Sequence, residues 1–194
     1  MTWPATTKNN MLGGQTFTHA SLHTAFPGST GASEVTGGSP AYARKTITMN
    51  AASGGLRALN AAVTFNVPAC TVRFVGFWNS STFIGCAANG GATPKNFMSL
   101  ASSDTVYSAS HGYVDTQKIA FINGTPPGGL VEGTTYFVRD ATTDSFKVAA
   151  SSGGAAIDLT AAPSFGCVVC AITEDTFGAQ GTHTLSTASL VFPD

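Results

Sequence analysis

Charge is what this sequence lacks most. Nine basic and ten acidic residues make up 10% of its 194 positions, against about a quarter in ordinary soluble domains. The net charge is −1 and no basic run occurs, so nothing would draw a phosphate backbone by counterion release, and nucleic-acid binding is excluded. No apolar run approaches the roughly 20 residues that span a bilayer. The opening MTWPATTKNNML has no basic start followed by an apolar core, so it does not read as a signal peptide. These absences predict a soluble chain, made in the cytoplasm, without membrane insertion. Low charge is not disorder here, because 43% of the residues are hydrophobic and 13 are Phe, enough for a sizeable core. A folded chain with so few charges is expected to turn much of its surface to other protein chains. The plainer alternative is a compact monomer with a hydroxyl-rich skin.

Helical periodicity is nearly as scarce. One short helix is predicted over Ala5–Leu12, with Pro4 at its first position, Gly13-Gly14 as its stop, and Met11 and Leu12 as apolar contacts. Everything after it reads as short strands between turn signals, which predicts an all-β sandwich or barrel. Phe17–Thr24 alternates without a strongly apolar face and reads as an edge or interface strand. Ala25–Pro40 is a long Gly/Ser/Thr loop, and Tyr42–Asn50, Val63–Val67, Thr71–Asn79 and Thr82–Ala87 are further strands. Both faces of Val72–Trp78 are bulky, as in a central strand covered on two sides. Ala88–Lys95 reads as a junction. Beyond it lie Thr105–Ala109, Gln117–Ile122, Thr134–Arg139, Ser145–Ala149, Ala156–Leu159, Gly166–Ile172 and a closing strand, Thr182–Phe192.

Candidate chemistry is thin. Cys167 and Cys170 form a C-x-x-C, but in the strand-like FGCVVCAI positions i and i+3 face opposite ways, so buried structural thiols are expected rather than a metal or redox pair. His19 and His23 share one strand face about 13 Å apart at roughly 3.3 Å per residue, too far to chelate one ion. They read as polar groups facing solvent or a neighbouring subunit. Ser21, His23 and Glu34 assemble a triad on paper, yet the G-x-S-x-G turn and an oxyanion loop are missing. Asp104, Asp115, Asp140, Asp144 and Asp158 sit beside turn residues and are expected to cap backbone there. Arg44 and Glu34 flank the glycine-rich loop. Arg44, in a strand otherwise short of charge, is expected to find an ion-pair partner, not identified by the sequence, within the chain or across a subunit contact. Phe74, Phe77 and Trp78 read as core, whereas Phe26, Phe83, Phe97 and Tyr113 are loop aromatics placed for sugar or partner contact. No catalytic residue, cofactor or metal is expected.

Three stretches carry a resemblance: SLHTAFPGSTGASEVTGGSPAYARKTITMNAASGG, VTFNVPACTVRFVGFWNSSTFIG and EDTFGAQGTHTLSTASLVF. Together they resemble a family of small tailed-phage virion proteins of the head-decoration or tail-fibre kind. Departures are Pro68-Ala69-Cys70-Thr71, where glycine is common, and His183, where an aromatic is usual. The middle stretch, around Ser102–Ile172, resembles a small β module of phage structural proteins through ASHGYVDTQKIAF, GGLVEGTTYFVRDATTDSFKVAAS and GGAAIDLT. The resemblances imply a β-sandwich anchoring domain over 1–100 and 173–194, with an inserted β domain over 101–172. They imply a non-enzymatic virion protein that binds itself, as a homotrimer, and phage capsid, head–tail or tail proteins. A host-surface glycan is the alternative partner, in a minor tail or tail-fibre role. Glu34, Arg44, His19 and His23 are the positions expected at a protein interface.

Overall fold

The computed structural model describes residues 4–191. The chain is mostly β, with one short N-terminal helix and several antiparallel sheets in a sandwich-like arrangement. It divides into two units, one made of residues 1–91 and 174–194, the other of residues 92–173. Among the described residues no helix is long and apolar enough to cross a membrane.

The first unit opens with α1 (Ala5–Gly14), which starts directly after Pro4. Leu12 is buried as expected, but Met11 is exposed and the aliphatic stem of Lys8 takes the second inward place, lying against Gly55. The Arg57 guanidinium donates to the carbonyls of Leu12 and Gln15, satisfying oxygens that the end of a helix leaves open. Strands β1 (His19–His23), β2 (Lys45–Thr46), β3 (Leu56–Ala58), β4 (Val63–Val67), β5 (Cys70–Val72), β6 (Phe74–Asn79) and β7 (Thr82–Ala88) follow. One sheet has the order β2-β1-β6-β7. The edge assignment for β1 is therefore corrected: it lies between two neighbours and is buried along most of its length.

The second unit contains β8 (Met98–Leu100), β9 (Thr105–Tyr107), β10 (Lys118–Ile122), β11 (Tyr136–Arg139), β12 (Ser145–Ala149) and β13 (Val168–Ala171). They form one sheet ordered β13-β10-β11-β12-β9-β8 around a core that includes Ile119, Phe121, Tyr136, Val138, Phe146 and Val169. The sequence placed its start at residue 101. The strand Met98–Leu100 pairs with β9, which moves the boundary back to residue 92. Ala156–Leu159 is not a strand but a single bridge, Ala149 to Ala156.

The chain then returns to the first unit as β14 (Asp175–Phe177), β15 (Gly181–Leu185) and β16 (Ser189–Val191). These pair in turn with β5, β4 and β3, so residues 56–72 and 175–191 run as one interrupted antiparallel ribbon whose register slips by one residue before β15 and slips back before β16. Cross-strand threonine pairs, Thr64 with Thr184 and Thr71 with Thr176, each at 3.0 Å, tie its outer side. Its inner side supplies Phe65, Val67, Val72 and Leu185 to a core shared with Ala20, Leu22, Val75 and Phe77 of the β1–β6 sheet. The closing strand expected over Thr182–Phe192 is two strands, and Phe192 lies outside the described residues. Where the chain leaves and re-enters this unit, Asn89 donates to the Asp175 carboxylate at 2.9 Å and Arg73 pairs with Glu174 at 2.7 Å.

Candidate functional site

Side chains alternate across a strand, and the pairing of β1 with β6 sorts them. Ala20 and Leu22 share a face with Val75 and Phe77, whereas His19, Ser21 and His23 lie opposite Trp78, Gly76 and Phe74. The first face meets the core. The second would be open were it not covered by the segment from Ala25 to Arg44, and the polar groups caught beneath that cover form the candidate site.

Ser21 and His23 are both fully buried. The Ser21 hydroxyl lies 2.7 Å from His23 Nε2, and His23 Nδ1 lies 2.7 Å from the carbonyl of Ala32 in the covering loop. A carbonyl only accepts, so Nδ1 carries the proton and Nε2 accepts from the serine. The Trp78 indole N–H donates to the same hydroxyl oxygen at 2.7 Å. The chain Trp78 → Ser21 → His23 → Ala32 thus uses every polar hydrogen it contains. Gly76 makes room for it, since a Cβ at that position would collide with both the hydroxyl and the imidazole. A serine within reach of a neutral imidazole is the geometry of a nucleophile and its base. Here the hydroxyl is buried and already engaged by Trp78, and Glu34 bonds Arg44 instead of orienting His23. The triad on paper becomes a structural network.

Glu34 and Arg44 lock the cover from outside. Their side chains form a two-pronged pair, with Nε–Oε1 at 2.9 Å and Nη2–Oε2 at 2.7 Å, and the guanidinium lies 3.3 Å over the Trp78 ring. The Tyr42 hydroxyl accepts from the Leu22 amide at 2.8 Å and donates to Glu34. Gly31, at φ +76°, passes so close to Trp78 and Phe83 that a Cβ would lie 2.5 Å from the indole. Backbone bonds from Val35 to Leu22 and from Thr24 to Ser33 continue the β1 pairing into the loop. Gln180 then clasps the loop's far end, accepting from Ser39 N–H and donating to the Pro40 carbonyl.

The electrostatics follow from burial. Desolvation holds the His23 imidazole below its ordinary value of 6.5, against the opposing effects of the Ala32 carbonyl and Glu34. His183, opposite Phe65 on β15 and 3.2 Å from the Asp175 carboxylate, is lowered for the same reason. Bonding to Glu34 raises Arg44, and burial raises Tyr42.

The other sequence candidates do not converge. His23 is sealed in the unit and presents no surface to a neighbour, which corrects its interface assignment. His19 is half-buried and bonds Thr18 at 2.9 Å. All four cysteines are free thiols, with Cys167 pushed up to about 11 by burial. Among the described residues no group of three His, Cys, Asp or Glu side chains gathers where a metal could be held. Three of the five aspartates bind backbone, but across loops: Asp104 takes the Leu159 amide, Asp115 that of Ala141 and Asp144 that of Ser110, whereas Asp140 pairs with the neighbouring Arg139. Phe74, Phe77 and Trp78 are core. Of the aromatics expected in loops, Tyr113 is buried, Phe83 lies in β7, and Phe26, Phe83 and Phe97 stand edge-on to Phe74, Trp78 and Phe121. Sequence reasoning missed the Ser21–Trp78 bond. Gly76, a lone glycine in an otherwise bulky strand, was the signal for it, because such a glycine marks a close approach.

No protein-family model matches the chain, and no curated protein or solved structure matches it either.

Two outcomes are expected. Arg44→Ala removes the fork and the ring contact together and should lower stability by about 1–2 kcal/mol, discounted because Arg44 keeps a third of its side chain in water. Arg44→Lys should recover little of that, lacking the planar fork. Equal denaturation midpoints for Arg44→Ala and wild type would contradict the lock. The second concerns pH. Between the depressed folded values and 6.5, the unfolded chain binds protons at His23 and His183 that the folded chain does not, so stability should fall as pH drops below about 6.5. An NMR titration in which the His23 ring protonates at or above 6.5 would contradict this account.

Proposed function

We propose that this chain is a non-enzymatic structural protein of a tailed-phage virion, a decoration or minor capsid component that binds capsid or head–tail proteins and its own copies, as a homotrimer. One observation supports this most. The short motifs that resemble the virion family meet in space: Ser21 and His23 of SLHTA, Tyr42 and Arg44 of YAR, Trp78 of GFW and Gln180 of FGAQGT all engage the same loop or the strand beneath it. A likeness made of scattered coincidences would have no reason to fall on residues that bond to one another. In this chain the motifs build one folding device, which is what a likeness between structural units would require.

The chemistry of that device favours a scaffold. Its serine, imidazole, indole and carboxylate are committed to holding a loop in place, and the exposed surface of that loop is left to glycine, serine, threonine, alanine and one proline. Such a surface binds by shape and backbone, with little long-range steering.

Immunogold labelling of phage particles, with antibody raised against the purified chain, tests the proposal. Label on heads or at the head–tail junction is expected. Particles that remain unlabelled, from lysates in which the chain is abundant, would overturn it.

A further inference from the structure

The sheet of the second unit closes on itself only in part. Lys95 exchanges both backbone hydrogen bonds with Val169 of β13, at 2.8 and 3.0 Å, so the segment entering β8 starts as a neighbour of β13. An antiparallel ladder continued from there would set Phe97 against Cys167 and Ser99 against Phe165. Neither pairing forms. The chain swings instead towards β9, where the Ser108 hydroxyl donates to the Asn96 carbonyl at 2.8 Å and Met98–Leu100 pairs with Thr105–Tyr107. On the other side the Cys167 amide turns back onto the Ser164 carbonyl. The vacated register is a cleft of about 600 Å³ between Asn96–Ser99 and Ala162–Cys167.

The walls of this seam describe its occupant. By strand alternation, the N–H and C=O groups of Phe97 and Ser99 point the same way as those of Lys95, into the cleft, while those of Met98 and Leu100 serve β9. No charged side chain lines it, so an ionised group entering it would lose water without gaining a partner. The Ser99 hydroxyl is buried there without any hydrogen-bond partner. At the rim Phe165 is 107% exposed and Met98 68%, large apolar side chains of the kind that mark interaction sites when clustered. A sugar would need several side-chain donors and acceptors fixed around it, and Ser164 Oγ already serves the Thr125 amide at 2.8 Å. Main-chain groups repeating at strand spacing suit a peptide.

We propose that the seam accepts an uncharged, extended peptide segment of another protein as an added strand, bonded to the Phe97–Ser99 edge and covered by Phe165 and Met98. The backbone bonds supply affinity and the apolar rim receives alternate side chains of the guest. The site belongs to the second unit alone and holds whether or not the chain rides on a virion.

The test is an NMR titration of the full chain with a capped, alternating Thr/Val hexapeptide. Saturable shifts confined to amides 96–99 and 164–167 are expected. The same peptide N-methylated on alternate residues, so that one edge cannot bond, should lose binding about tenfold or more. Ser99→Pro removes an N–H that faces the cleft but none that β9 uses, and should weaken binding to a similar degree. Phe165→Ala, at a side chain already in solvent, should weaken binding while leaving the fold intact. No saturable shift at these amides, equal affinity for the N-methylated peptide, or saturation by a neutral oligosaccharide such as maltohexaose in place of the peptide would each overturn the proposal.

Discussion

The first unit depends on how it covers a sheet face that carries Ser21, His23 and the Trp78 N–H. An apolar face can be covered by anything apolar. A face with three hydrogen-bonding side chains must be covered by groups that answer each of them, because an unanswered buried polar atom costs about 1–3 kcal/mol. The answer comes from a backbone carbonyl, Ala32, delivered by a loop that must itself be held. Glycines let that loop pass within contact distance of Trp78, and Glu34, Arg44, Tyr42 and Gln180 fasten it. The unit is therefore two-layered in an unequal way, with an apolar core on one side of β1 and β6 and a hydrogen-bonded cover on the other.

That arrangement explains the sparing use of charge. Only one ion pair, Arg44 with Glu34, is built into the cover, and it works at short range through a planar fork and a ring contact. The returning ribbon is stitched by threonine pairs and the second unit's loops by aspartate-to-amide bonds. Neutral or locally paired groups fix the geometry, and the surface keeps little net field.

Much of this was legible in the residues. The β class, the burial of Val72 and of Phe74–Trp78, and an ion pair at Arg44 followed from alternation and from the isolation of that charge. The single strand expected over Val72–Trp78 is instead two, because Arg73 divides it into β5 and β6, which pair in different sheets. Glu34 as the partner of Arg44 came only from the structure. The helix was found, though which residues it buries was not, because Lys8 buries its stem in a way that hydropathy does not register. The β1 sequence HASLH looked like an edge since its polar face satisfies itself only through partners 9 and 57 residues away, which no local pattern encodes. Strands of two or three residues, such as Leu56–Ala58, Met98–Leu100 and Asp175–Phe177, are too short to alternate visibly and exist only because a distant partner pairs with them. The same limit hid the seam, which is defined by a register that stops.

Native-state hydrogen exchange on the covering loop tests the central claim most directly. If the loop is part of the packed unit, the amides of Ala32, Val35 and Tyr42, each bonded to backbone, should exchange with the same opening free energy as Leu22 and Val75 in β1 and β6. Amides of Ala32, Val35 and Tyr42 exchanging at the rate of an unstructured glycine-rich segment, while the sheet stays protected, would show that the loop merely crosses the face and would contradict the account.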